Sequence, residues 1–133
     1  MSANTDPIFA ITPKMNFADL SGTTTDKTGG TTTNMKTLVT AGSNGTKVTQ
    51  IGVKIAGTSV AGTLLIFITD TSGANPKLFD EILISAITSS TTVVTFRAFN
   101  TYSDLELASG QLIQVGVTAL SADAIAWAQQ GDF

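Results

Sequence analysis

A chain of 133 residues has the length of one ordinary domain, and its lack of cysteine and histidine rules out a disulfide framework, thiolate chemistry and the commonest neutral-pH general base and metal ligand. Seven Lys and Arg against ten Asp and Glu give a net charge of −3, and the cations are scattered, so nucleic acid is not expected as a partner. Charged residues are 13% of the chain, against about 25% in an average domain, while 42% is hydrophobic, so Thr, Ser and Gly supply much of the polarity.

The start, Met1-Ser2-Ala3-Asn4-Thr5-Asp6, lacks the basic residues and apolar run of a secretory leader, so export by that route is not expected. Residues 1–34 have a weak apolar pattern and carry two threonine triplets, Thr23-Thr24-Thr25 and Thr31-Thr32-Thr33. With little to bury, this stretch reads as an extended N-terminal arm, and Pro7 and Pro13 favour extended backbone before them. Its anchors are Ile8, Phe9, Ile11, Met15, Phe17 and Leu20, candidates for docking on the domain or on a neighbouring subunit.

Residues 35–133 read as one β-domain. Met35–Ala41 is the first strand; Gly42-Ser43-Asn44-Gly45 reads as a hairpin turn, Asn-Gly being the strongest short turn signal. In Lys47–Ala56, Ile51, Val53 and Ile55 alternate with less apolar neighbours, which predicts one buried face. Thr63–Asp70 is apolar on both faces, as a strand covered on both sides would be. Its core, Leu64-Leu65-Ile66-Phe67-Ile68, is far shorter than the roughly 20 residues of a membrane span, so no membrane association is expected. Strands follow at Lys77–Ile84, Thr91–Phe99, Gln111–Leu120 and Ala124–Gln129, with Asn100–Gly110 as a long connection. About seven short strands with regular turn signals and no amphipathic helix predict an all-β chain. The expected fold is a single β-sandwich, jelly-roll-like, of seven to eight antiparallel strands.

The constellations that carry chemistry are few. Asp70-Thr71-Ser72-Gly73-Ala74-Asn75 has oxygen ligands for calcium but one carboxylate, so a turn in which Asp and Asn bond their own backbone is the stronger reading. Asp80 and Glu81 are adjacent on a strand and point to opposite faces; Asp104 and Glu106 share a face as a solvated acidic pair. Gly42-Ser43-Asn44-Gly45-Thr46-Lys47 lacks the spacing and the following helix of a phosphate-binding loop. Trp127 and Tyr102 are the amphipathic aromatics, and Trp127 is expected in the core or at a subunit contact. Arg97, the one arginine, lies in a strand, a residue type favoured at interfaces. No metal, cofactor or catalytic activity is expected, and the candidate partner-binding residues are Ile8, Phe9, Ile11, Met15, Phe17, Arg97 and Trp127.

Several segments also carry a family likeness: Leu38–Val48 leading into Ile51–Thr58, then Ala61–Ile68, Leu78–Ile82, Thr91–Phe96, Leu107–Leu112, and the close on Trp127 and Gly131-Asp132-Phe133. Over residues 35–133 this order resembles small β-rich structural proteins of tailed bacteriophages, of the capsid decoration or cement kind. The resemblance implies a virion component on the capsid surface, assembled in the host bacterial cytoplasm. It would bind the major capsid protein and itself, the latter as a homotrimer at a lattice three-fold. A tail, neck or fibre-base component is the alternative within the virion. A carbohydrate-binding module is the alternative outside it, with Tyr102 or Trp127 as its platform.

Overall fold

The computed structural model describes residues 12–133. Eight strands follow one another: β1 (Thr12–Leu20), β2 (Lys36–Thr40), β3 (Thr46–Ile55), β4 (Gly62–Ile68), β5 (Lys77–Ile84), β6 (Arg97–Leu107), β7 (Leu112–Val117) and β8 (Ala124–Asp132). No helix occurs among the described residues. The strands form two four-stranded sheets, sheet A in the order β1-β8-β3-β6 and sheet B in the order β2-β7-β4-β5. Every pairing is antiparallel. The first strand pairs with the last, the second with the seventh, the third with the sixth and the fourth with the fifth. That nesting makes two antiparallel sheets, so the expected all-β sandwich of seven to eight strands holds.

Alternation builds the core. Leu64 and Ile66 of β4, Ile113, Val115 and Val117 of β7, and Ala124, Ala126 and Ala128 of β8 all face inward and are buried. On β3 the inward residues are Val48, Ile51, Val53 and Ile55. The odd step from 48 to 51 is made possible by a bulge between Val48 and Gln50, seen against both neighbouring strands. The extra residue restores the apolar face that a one-residue slip would turn outward.

The structure corrects three of the sequence expectations. Residues 12–34 belong to the sandwich itself and are not an arm outside a domain that begins at residue 35. β1 is an edge strand of sheet A, in register with β8 from Thr12↔Asp132 to Leu20↔Ala124, and its Ala18 and Leu20 complete the core. The following segment crosses the outer face of sheet B. Thr24 donates its backbone N–H to the Val117 carbonyl (2.9 Å), Lys27 pairs with Glu81 (2.8 Å), and Asn34 donates to the Thr23 carbonyl (3.0 Å). Thr24 lies against Gly116, where an added Cβ would come within 2.5 Å of its methyl group. Leu65, cross-strand neighbour of both Gly116 and Glu81, is fully buried on this outer face, as is Phe67 two residues on. β4 is therefore covered on both sides, and the cover is the threonine-rich segment itself. Its polarity is absorbed locally: the Asp26 carboxylate accepts from the Thr28 N–H and hydroxyl and from the Thr31 N–H, which lowers its pKa to about 2.

The turn at Gly42–Gly45 is real, with Gly45 at φ 92° donating to the Gly42 carbonyl, but it joins β2 of sheet B to β3 of sheet A and is not a hairpin. The sixth strand is Arg97–Leu107, so Asn100–Gly110 is mostly strand, and Thr91–Phe96 is irregular. The Ser90 hydroxyl accepts the N–H groups of Thr92 and Val93, holding that β-branched run in a turn. Polar Asn100 and Thr101 become strand because the edge of β3 takes their backbone groups, while Ser103 and Asp104 lie in the irregularity before pairing resumes at Leu105.

Candidate interaction surface on sheet A

The outer face of sheet A is organised around one cross-strand row. Phe17 of β1 lies opposite Trp127 of β8, Trp127 opposite Gly52 of β3, and Gly52 opposite Phe99 of β6. Gly52 is the gap that makes the row possible. A Cβ there would come within 2.4 Å of the Trp127 ring, so the indole occupies the space a side chain would take. The Phe99 and Trp127 rings are 6.0 Å apart and tilted by 48°. The Arg97 guanidinium lies over both, 4.8 Å from the Phe99 centroid and 5.2 Å from that of Trp127. Trp127 is thus 5% exposed on the outside of the sandwich, while Phe17 is 61% exposed, Met15 48% and Phe99 43%.

Polar rows flank the aromatic one. Toward the end of β8 lie Gln129 and Gln50, cross-strand partners. A recess of about 530 Å³ opens there between Pro13, Met15, Lys47, Thr49 and Gln129. Toward the start of β8 the row is Asp19, Ile125, Lys54 and Arg97. A second recess, about 730 Å³, continues past Asp19, Lys54, Ser121 and Asp123. Lys54 donates to the Thr95 carbonyl (3.1 Å), and Arg97 takes part in neither ion pair found among the described residues.

Met15, Phe17, Arg97 and Trp127, picked out from three separate stretches of sequence, therefore share one face. Ile8, Phe9 and Ile11 lie outside the described residues. Trp127 is not in the core between the sheets; Gly52 and Arg97 bury it on the outside. Phe99 and Gly52 were not picked out. Phe99 is two residues from Arg97 and shares its face in the strand read over Thr91–Phe99 as in the observed β6, and that spacing is the signal that points to it.

Other polar clusters are structural. The Asp70 carboxylate accepts from the Ser72 N–H (2.9 Å) and hydroxyl (2.6 Å), the Ala74 N–H (3.0 Å) and the Asn75 amide (2.9 Å). These bonds, the Ser72 hydroxyl's first, hold it well below the usual carboxylate range, and they close the turn rather than a calcium site. Asp80 and Glu81 diverge as alternation requires. Glu81 meets Lys27 outside, while Asp80 accepts from the Tyr102 hydroxyl (2.8 Å) and the Asn100 amide (2.9 Å), joining the edge strands β5 and β6 of the two sheets. Burial works to raise the Asp80 pKa, but these donors and the Glu81 N–H hold it below the ordinary value. Burial, and then the bond to Asp80, push the Tyr102 hydroxyl up. At the opposite edge Asp132 accepts from Lys14 (2.6 Å) and Thr46 (2.6 Å), which lower its pKa in that order. No family model and no curated protein matches this chain.

Proposed function

We propose that this protein is a structural component of a tailed-phage virion, a decoration or cement protein that binds and stabilises the head shell, with the outer face of sheet A as its contact surface. The observation that carries the reading is the composition of that face. The only tryptophan and the only arginine of the chain meet there, beside exposed Phe17, Phe99 and Met15. Aromatic residues, Met and Arg are the types enriched at protein interfaces, and Trp and Arg dominate their energetics. A two-sheet sandwich is also a rigid support of the kind that viral capsid domains use, though lectins use it too. The resemblance of residues 35–133 to phage structural proteins favours the virion.

In this reading the partners are the major capsid protein and further copies of the chain, as a homotrimer, and the protein sits on the capsid surface. The acidic clusters at Asp70, Asp80 and Asp132 are each engaged in local hydrogen bonds, which accords with a role in contact rather than turnover. Tyr102 packs against the core and Phe79, and Trp127 is roofed by Arg97, which disfavours either ring as a sugar platform. The test is electron cryomicroscopy of virions made with and without the gene. Loss of regularly spaced density over the head, with faster rupture on heating, is expected. A change confined to the tail, neck or fibre base, or no change at all, overturns the assignment to the shell.

A further inference from the structure

Arg97 is stacked, not paired. Its guanidinium lies over two aromatic rings and takes part in neither ion pair found among the described residues, so it keeps N–H donors for an outside acceptor. Its cross-strand neighbour Lys54 is bonded to a backbone carbonyl, so two adjacent cations stand on this face without a carboxylate in ion-pair range among the described residues. Asp19, the acid of the same row, lies at the far edge of the sheet, with Ile125 and Lys54 between them. Asp123 lines the recess with Asp19 and Lys54, and neither acid comes within ion-pair range of Arg97.

Resting on the reading of this face as a protein contact, we propose that its occupant is an acidic segment of the partner. An Asp or Glu carboxylate lies in the fork of Arg97, and a neighbouring aliphatic or aromatic side chain of the partner rests on Phe17 and Met15. The aromatic row alone would accept any apolar surface. A guanidinium without a carboxylate partner selects an anionic acceptor, and the bidentate carboxylate matches its fork of donors. The exposed Phe17 and Met15 beside it select a peptide over a small free anion.

The probe is a random-peptide library displayed on yeast and selected against the immobilised full-length chain. Enrichment of peptides carrying Asp or Glu within a few residues of Leu, Ile, Phe or Tyr is expected. Synthetic copies should bind at least about tenfold more weakly to Arg97→Ala, the loss of one charge-assisted contact, and should weaken as salt is raised. Arg97→Glu should invert the selection toward Lys- and Arg-bearing peptides, a result that lost packing alone does not produce. Unchanged circular dichroism and melting confirm that both variants are folded.

Apolar peptides without an acid, lost in Phe17→Ser but not in Arg97→Ala, overturn the acidic occupant and leave the contact surface standing. No enriched peptide at all, together with unaltered virions, overturns both. Three results assign the face to a different occupant and overturn the proposal. They are binding seen only when Ile8, Phe9 and Ile11 are all changed to Ser, self-association abolished by Arg97→Glu, and a glycan-array signal in place of a peptide signal.

Discussion

The two outer faces of the sandwich solve the same problem in opposite ways. Each sheet has large apolar side chains on its outside, Leu65 and Phe67 on sheet B, Phe17, Phe99 and Trp127 on sheet A. On sheet B the chain covers the centre of the face itself, and Leu65 and Phe67 are wholly buried where residues 21–34 cross, while Leu83 on edge strand β5 stays exposed. On sheet A no segment among the described residues crosses the face; the arginine roofs the tryptophan and the two phenylalanines stay exposed. An apolar outer face that its own chain covers reads as core. One left open on a rigid sheet reads as a contact surface.

That contrast sets the scale of the expected mutational effects. The largest belongs to the covered face: Phe67→Ala should cost about 3–5 kcal/mol, because a fully buried ring is removed from between strand and cover. The shift of the urea midpoint at unchanged slope measures it. A loss under about 1 kcal/mol would mean that the cover does not pack on sheet B in solution.

Gly52→Ala comes next. Its methyl group would meet the Trp127 ring and, at 2.9 Å, the Ala98 carbonyl, so a loss of about 1–3 kcal/mol is expected. Trp127 is the only tryptophan, so its fluorescence should shift to the red and become more open to acrylamide as the ring is displaced. An unshifted spectrum would show that the indole does not lie over Gly52.

The side of the sandwich between β5 and β6 belongs to neither outer face. Tyr102→Phe removes a donor to Asp80 and should cost about 1–2 kcal/mol. The pH dependence has a definite sign. Asp80 has a depressed folded pKa, so its contribution is complete above the unfolded value, near 3.8, and is lost as pH falls through the folded value. Tyr102→Phe should therefore lose its penalty in strong acid, where wild type and variant should unfold alike. A pH-independent difference would assign the effect to packing.

The smallest effect on stability is expected on the open face. Phe17→Ser should change the unfolding free energy by less than about 0.5 kcal/mol while removing most binding of a partner. A loss comparable to that of Phe67→Ala would place Phe17 in the core and end the comparison.

Much of the strand framework is legible without coordinates. Lys77–Ile84 is read end to end, and β4, doubly apolar, is recognisable as a strand buried on both sides. What is missed is missed for physical reasons. Residues 12–34 look unable to bury anything, because only Ala18 and Leu20 of β1 face the core and the threonines are held through backbone bonds and the Asp26 carboxylate. β6 is polar beyond Phe99 and reads there as a connection, and nothing in the sequence says that the face shared by Arg97 and Phe99 lies across Gly52 from Trp127. The candidate surface is accordingly half visible: Arg97 and Trp127 stand out as single residues of their kind, but their contact does not.

Alternation, turn chemistry and residue inventory are local properties, and from them the amino-acid sequence alone determined an all-β sandwich without histidine or thiol chemistry. Which strand lies beside which depends on closing loops of many tens of residues, and no local pattern encodes it. Tertiary structure alone therefore decided that β1 pairs with β8, that the threonine-rich segment covers sheet B, and that an arginine, a tryptophan and two phenylalanines from three strands meet across a glycine of a fourth on sheet A. Burial rewards such contacts only after the backbone has placed them side by side.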